Sequence, residues 1–207
     1  VYASLFGAPF QGYLNRVATG YLMWHYLAAM INEGSHSVME AAASLKSISL
    51  PISVMAARVV ARNIIVLLHN FVAVVPIMIV FGGHHFTPQV LWVIPGLAVY
   101  VLLGVLVGMA LGPIGARYRD ISELLKTVTH LAFFVTPVIW PADRVDPGAF
   151  YIRYNPFYHL IELVRAPLLG APATLDNWLM AGAFIAVALA GAMVSVRAAS
   201  GRLVLWV

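Results

Sequence analysis

The stretch Val90–Leu111 reads VLWVIPGLAVYVLLGVLVGMAL and carries no charged residue. A helix that crosses the hydrocarbon core of a bilayer needs about 20 mostly apolar residues, so this run predicts a membrane-spanning helix. The rest of the chain has the same character, since 62% of its 207 residues are hydrophobic and only 10% are charged. Soluble domains average about 25% charged residues. The composition therefore predicts an all-α integral membrane protein and excludes a soluble two-domain enzyme.

Further apolar runs of spanning length flank this stretch. The chain starts on an apolar stub at residues 1–8 with no positive charge ahead of it, which argues against a signal peptide. We interpret the stub as the remnant of a first, truncated span. The sequence predicts a single transmembrane domain over residues 1–207, with spans at about 14–32, 51–81, 90–111, 123–140 and 175–196.

The distribution of positive charge predicts the orientation. The net charge of +4 comes from basic residues scattered between apolar runs, which indicates loops at a membrane surface and no nucleic-acid partner. By the positive-inside rule the side with more basic residues is cytoplasmic. That side holds Lys46, Arg58, Arg62, Arg117, Arg119, Lys126, Arg197 and Arg202, and the other side holds Arg16, Arg144, Arg153 and Arg165.

Two segments on the predicted cytoplasmic side carry most of the remaining information. Apolar residues recur at helical spacing in Ser37–Pro51, which predicts a short amphipathic helix. It either lies on lipid or contacts a cytoplasmic partner. The segment Gly112–Lys126, GPIGARYRDISELLK, is predicted to be a charged loop between spans. It is either an ordinary positive-inside loop or a structured turn that docks a partner.

The predicted outer segment contains a helix start. Asn155 followed by Pro156 is typical of an N-cap with proline in the first turn. The three-residue spacing of Glu162 and Arg165 predicts an ion pair on the polar side of this helix. The helix is either a lid without further function or a re-entrant segment that must be buried in protein or line a water-filled path.

Glycines and aromatic residues inside the spans allow more than one interpretation. Gly104, Gly108 and Gly112 recur at every fourth position, which predicts close packing between helices. Aromatic residues of the 14–32 span form either an interfacial belt or a path for sugars, on whose apolar faces their rings stack. The residues proposed for such a path are Tyr21, Trp24 and Tyr26.

Signatures of covalent or metal chemistry are missing from the sequence. The chain has no cysteine, no G-x-x-x-x-G-K-[ST] phosphate loop, no H-E-x-x-H and no G-x-S-x-G. No Asp or Glu lies in the middle of a predicted span, where ion-coupled carriers place one. We therefore assign no catalytic residue, no metal site and no bound cofactor, and interpret His84–His85 as a solvated turn.

Three runs together resemble the permeases of type-2 ABC exporters. They are Gly115–Ile121, GARYRDI; Thr136–Pro141, TPVIWP; and Asn155–Arg165, NPFYHLIELVR. Within that family they are most similar to the polysaccharide branch, which exports O-antigen, teichoic acid or capsule chains. The order and spacing of the three runs match from about Ser37 to the end of the chain.

The resemblance implies a six-helix fold, here with the first helix largely missing, a short inner coupling helix and re-entrant outer gate helices. It also implies a homodimer in the bacterial inner membrane that pairs with a cytoplasmic ATPase subunit, where ATP and Mg bind. The implied ATPase-coupling residues are Glu40, Lys46, Arg117, Tyr118, Arg119, Asp120 and Glu123. The implied outer-gate residues are Asn155, Pro156, Glu162 and Arg165.

From these observations we expect a permease that moves a lipid-linked glycan across the inner membrane. The alternatives are a type-2 ABC exporter of drugs or small lipids, a multispanning glycosyl or acyl transferase, and an ion-coupled carrier or channel. A transferase needs an acid or histidine pair facing a lipid-accessible cleft, and the sequence offers none. A carrier favours charged or repeat-related broken helices within the membrane.

Overall fold

The computed structural model describes residues 9–42, 50–81, 83, 85–140, 142, 150–200 and 203. Over these ranges the chain is helical and has no strand, which confirms the all-α prediction. The described helices are α1 (Phe10–Glu40), α2 (Ile52–Val80), α3 (Val93–Arg117), α4 (Arg119–Val135), α5 (Phe150–Arg153), α6 (Pro156–Leu168) and α7 (Leu175–Ala199), with a 3₁₀ helix at Pro88–Trp92 leading into α3.

Three described segments are long and apolar enough to cross a membrane: Ile52–Val80, Pro88–Arg117 and Leu175–Ala199. They correspond to the predicted spans at 51–81, 90–111 and 175–196. Helix α1 has 31 residues but is less apolar, and α4 has only 17 residues. The spans predicted at 14–32 and 123–140 therefore stay predictions, and the stub at residues 1–8 lies outside the described residues.

Helix α1 extends beyond residue 32, the predicted end of the first full span, into the predicted amphipathic segment. Helix α1 continues to Glu40, so the beginning of the predicted Ser37–Pro51 helix is the last turn of α1. Gly34 is the weakest helix former in this stretch. It is tolerated because it packs closely against Gly108: a Cβ on Gly34 would lie 3.2 Å from the Cα of Gly108. Lys46 and the rest of the predicted amphipathic helix lie outside the described residues.

The charged segment Gly112–Lys126 is not the loop that the sequence predicts. Only Tyr118 separates α3 from α4, and hydrogen bonds continue through it: its N–H donates to Ile114 (2.8 Å) and its carbonyl accepts from Ile121 (3.1 Å). The helix survives at Gly112 because that glycine packs tightly, with a Cβ there lying 2.6 Å from the Oγ of Ser37. Tertiary packing thus overrides the low helix propensity of glycine.

Helix α4 ends at Val135, five residues before the predicted end of the span at residue 140. The cause is Pro137, which has no N–H to donate and disfavours helical backbone at the preceding residue, Thr136. Thr136, Pro137 and Val138 are nevertheless buried. The chain therefore leaves the helix in the protein interior, with a backbone carbonyl at Pro137 that no longer belongs to a helix.

The chain divides into two compact units. Unit 1 comprises Val1–His25, Val66–Ala98 and Ala132–Ala181. Unit 2 comprises Tyr26–Ile65, Val99–Leu131 and Gly182–Val207. Among the described residues, every Lys and Arg predicted to be cytoplasmic belongs to unit 2, and every other Arg belongs to unit 1.

Close helix packing holds unit 2 together. A Cβ on Gly104 would lie 2.6 Å from the sulfur of Met30, and one on Gly108 would lie 2.9 Å from the Cβ of Ala56. Such distances leave no room for a side chain, so α3 approaches α1 and α2 through its glycines, as predicted.

Candidate functional site

Asn155 begins α6 in unit 1 as the sequence predicts. Its Oδ1 accepts hydrogen bonds from the backbone N–H groups of Phe157 (3.0 Å) and Tyr158 (3.3 Å), and Pro156 occupies the first turn, where its missing N–H costs no hydrogen bond. The Nδ2 of Asn155 donates to the Oγ1 of Thr136 at 3.1 Å. One side chain thus caps α6 and ties it to the segment that follows α4.

Glu162 and Arg165 form the predicted ion pair, but not on a polar surface. The Nε of Arg165 donates to the Oε1 of Glu162 at 3.1 Å, and Nη2 contacts the same oxygen. Its Nη1 donates to the carbonyl of Pro137 at 2.9 Å. Arg165 is 0% exposed, so its placement on the polar side is wrong. Burial is tolerated because these partners satisfy donors of the guanidinium.

Helix α1 completes this cluster, which we call the gate cluster: Arg16, Gly20, Pro137, Glu162 and Arg165. A Cβ on Gly20 would lie 2.9 Å from the Nη1 of Arg165, so only glycine lets the guanidinium lie against this part of α1. The Nη2 of Arg16 lies 3.9 Å from the Oε1 of Glu162. The single carboxylate of Glu162 therefore stands between two guanidinium groups. The sequence indicated neither Gly20 nor Pro137 for this cluster.

A cleft of about 770 Å³ opens beside the gate cluster in unit 1, with Arg16 and Glu162 in its wall. His159 fixes another part of the wall: its Nε2 lies 2.9 Å from the carbonyl oxygen of Arg153 and its Nδ1 lies 2.8 Å from the Oδ1 of Asn177. The cleft thus combines charged groups of both signs with amide and imidazole groups. Such a wall can hydrogen-bond a polar ligand.

The three aromatic residues proposed for a sugar path differ in exposure. In unit 1, Tyr21 is 55% exposed, whereas Trp24 is 7% exposed and packs edge-on against Phe157 at 5.2 Å. In unit 2, Tyr26 is 2% exposed, stacks on the ring of Tyr100 at 5.3 Å and donates its hydroxyl to the Tyr100 carbonyl at 3.3 Å. In this conformation only Tyr21 presents its ring to a ligand, and the path stays a prediction.

Glu40, predicted for coupling, belongs to a charged network in unit 2. Its Oε2 accepts from the Nη2 of Arg58 at 3.0 Å, while the Nη2 of Arg62 donates to the Oε2 of Glu33 at 2.8 Å. The Nδ2 of Asn63 donates to the same oxygen of Glu33. We call these five residues the charged network. A cleft of about 490 Å³ is lined by Glu40, Arg58 and Arg62.

Of the charged network the sequence predicted only Glu40 as a site residue; Arg58 and Arg62 were counted only as positive charges, and Glu33 and Asn63 were missed altogether. A signal was present, because Glu33 and Glu40 are seven residues apart and so share one face of a helix. Arg58 and Arg62 are four residues apart and share a face in the same way. Complementary pairs on successive helices at such spacings indicate pairing between the helices.

The other predicted coupling residues that the structure describes surround the junction of α3 and α4. Arg117, Tyr118, Arg119, Asp120 and Glu123 are all exposed. The guanidinium carbon of Arg117 lies 5.1 Å from the ring centroid of Tyr118, within the range of a cation–π contact. Their exposure leaves these side chains accessible to a partner, although no contact in the structure assigns one.

With this geometry in place, the comparison with known proteins decides the family. Residues 1–169 match the family described as ABC-2 type transporter. The chain belongs to the ABC-2 type transporter family. The matched residues include the gate cluster, the charged network and the α3–α4 junction.

Two relatives are permeases of O-antigen export systems by name. The O-antigen export system permease protein RfbA of Myxococcus xanthus is 26% identical to this ABC-2 permease over 155 residues, which are 71% of this chain and 57% of that protein. The protein of the same name from Klebsiella pneumoniae is 24% identical over 148 residues, 69% of this chain and 56% of that protein. The chain thus spans little more than half the length of these relatives.

Proposed function

We propose that this ABC-2 permease is the membrane subunit of an ATP-driven exporter that moves a lipid-linked polysaccharide across the bacterial inner membrane. The observation that carries the proposal is the family match over residues 1–169 together with two relatives named for O-antigen export. The multi-pass topology and the inner-membrane location belong to the proposal. Three apolar helices of spanning length support them.

The proposed assembly is a homodimer with a separate cytoplasmic ATPase subunit, which holds ATP and Mg. Docking requires exposed side chains at the cytoplasmic surface, and the α3–α4 junction offers an exposed group of both charges around Tyr118, itself 52% exposed. Glu40 extends the predicted contact to the end of α1. ATP binding by the partner would favour one conformation of the permease over another, which is what moves the cargo.

The gate cluster is the proposed outer gate. Moving α6 away from the segment after α4 requires the Nη1 of Arg165 to release the carbonyl of Pro137, and a buried donor left without an acceptor is costly. Glu162 stays paired with Arg165 during such a movement because both residues belong to α6. The neighbouring cleft, with its polar wall, is the proposed place where a glycan segment is accommodated.

The experiment that tests the proposal is expression of the chain with its neighbouring coding sequences, followed by purification from native membranes. The proposal expects an ABC ATPase subunit to copurify and the complex to hydrolyse ATP. It also expects cells without the permease to accumulate lipid-linked glycan inside and to lose the corresponding polysaccharide outside. A chain that moves or modifies its substrate without an ATPase partner contradicts the proposal.

The cargo is tested separately from the partner. If the ATPase copurifies but surface polysaccharide is unchanged in the deletion strain, the export of a lipid-linked glycan is wrong and the assembly carries another cargo. Comparison of drug sensitivity and of the lipid composition of the two membranes then identifies the alternative class, an exporter of drugs or small lipids.

A further inference from the structure

A groove with apolar walls lies in unit 2 between α3 and α7. It has a volume of about 230 Å³. Leu106 and Met109 of α3 line it together with Leu189, Met193 and Val196 of α7, and Arg197 stands at its end. Neither the gate cluster nor the charged network shares a residue with this groove.

Small residues hold the two helices close beside the groove. A Cβ on Gly191 would lie 3.5 Å from the Cβ of Ala110, and the Oγ of Ser195 donates to the carbonyl of Ala110 at 2.6 Å. The larger side chains Leu189 and Met193 are 44% and 47% exposed. The groove is therefore a depression on the surface of unit 2, with flexible apolar side chains at its rim.

Arg197 supplies a charge at one end of this apolar surface. It is exposed, and it forms no hydrogen bond or ion pair with any residue that the structure describes. Helix α7 has 25 residues and so is about 37 Å long, which exceeds the roughly 30 Å hydrocarbon core of a bilayer. A helix of this length extends beyond the core, and we place its last turn at the level of the lipid headgroups because Arg197 is the charged residue there.

We propose that this groove binds an anionic phospholipid, with part of one acyl chain between α3 and α7 and the phosphate on Arg197. The guanidinium is a strong partner for a phosphodiester. The eight-residue rise from Leu189 to Arg197 is about 12 Å, close to the roughly 15 Å of one hydrocarbon leaflet. An acyl chain in the groove would thus place its phosphate at the depth of Arg197.

The size of the groove argues against a protein helix as its occupant. A helix is about 10 Å across, so only some of its side chains could enter a groove of about 230 Å³. An acyl chain is thin enough to enter. The proposed lipid does not depend on which cargo the transporter carries, so the two proposals fail independently.

The charge is tested with the full chain, purified together with any subunit that copurifies with it. The protein is incubated with an equimolar mixture of phosphatidylglycerol and phosphatidylcholine of identical acyl chains, and retained lipids are counted by native mass spectrometry. We expect about fivefold more phosphatidylglycerol, the preference expected of one cation at a membrane surface. Arg197→Lys keeps this preference and Arg197→Gln removes it. The matched control Lys126→Gln, at an exposed cation outside the groove, keeps it.

The groove is tested by filling it. Met193→Trp places a large ring at the rim and is expected to reduce retention of both lipids, whereas Val194→Trp, at a residue 69% exposed outside the groove, leaves retention unchanged. Equal retention of both lipids by the unmodified protein overturns the proposal, as does a preference that survives Arg197→Gln. A Met193→Trp variant that keeps its lipids but changes the oligomer mass also overturns it, because the groove is then an interface between copies.

Discussion

The Nη1 atom of Arg165 donates a 2.9 Å hydrogen bond to the carbonyl oxygen of Pro137, and this bond is buried. The two residues are 28 positions apart in the sequence. Proline makes the contact possible from one side, since it ends α4 and releases its own carbonyl from helical pairing. Glu162 also makes the contact possible, because its carboxylate compensates the buried charge of Arg165. The contact therefore depends on three residues, and each can be tested.

Replacement of Glu162 by glutamine should strongly destabilise the protein. The substitution leaves the guanidinium of Arg165, which is 0% exposed, without a compensating charge. Loss of one partner from a buried ion pair costs about 3–5 kcal/mol. Equilibrium unfolding of the purified protein in detergent measures the loss.

Arg16→Gln is the matched control for Glu162→Gln. The Arg16 side chain is 31% exposed, and its nearest nitrogen lies 3.9 Å from the Oε1 of Glu162, so the pair is long and partly screened. We expect a loss of less than about 1 kcal/mol. Equal losses in the two variants would contradict a special role for the buried pair.

A methyl group at Gly20 should open the gate cluster. Its Cβ would lie 2.9 Å from the Nη1 of Arg165 and 3.4 Å from the carbonyl oxygen of Val138, so Gly20→Ala forces the guanidinium to move. Overpacking of this kind costs about 1–3 kcal/mol. We expect lower unfolding free energy and, if the cluster is a gate, altered export at equal protein levels.

Gly12→Ala controls for the change in helix propensity on the same helix. A Cβ on Gly12 meets nothing within 4 Å, so this variant gains propensity without a clash. We expect it to be stabilised by up to about 1 kcal/mol. If Gly12→Ala and Gly20→Ala change stability in the same direction, close contact at Gly20 is not what matters there.

Reversal of charge at the α3–α4 junction should uncouple the permease from its partner. Arg119 is exposed at the start of α4, so Arg119→Glu removes no buried contact. We expect normal membrane insertion, loss of ATPase copurification and loss of export. Arg119→Lys, which keeps the charge, should retain both ATPase copurification and export. Normal export by Arg119→Glu would remove this junction from the coupling surface.

The pair Glu33–Arg62 should show a modest coupling energy in a double-mutant cycle. The two side chains are 36% and 51% exposed, so solvent screens their 2.8 Å contact. We expect about 0.2–1 kcal/mol from Glu33→Gln, Arg62→Gln and the double variant, measured by unfolding at low salt. The coupling should fall as salt is raised. A coupling energy of zero at low salt would show that the contact between Glu33 and Arg62 contributes nothing to stability.

The sequence predicted correctly those features that depend on residues close to one another in the chain. Asn155–Pro156 specified the start of α6 because an N-cap acts within three residues. The buried position of Arg165 could not be predicted in this way, since it depends on the carbonyl of Pro137 far along the chain. The same holds for Gly112 in α3, where contact with Ser37 keeps a helix that propensity alone would end.

Tyr118 joins α3 to α4 as a rigid connection rather than as a flexible linker. A single residue supplies only two soft torsions, and hydrogen bonds to Ile114 and from Ile121 already restrain them. No flexible loop therefore lies between the two helices to absorb a movement at this junction. A torque that the proposed partner applied at this exposed junction would be transmitted directly to the axes of the two helices, as by a lever arm.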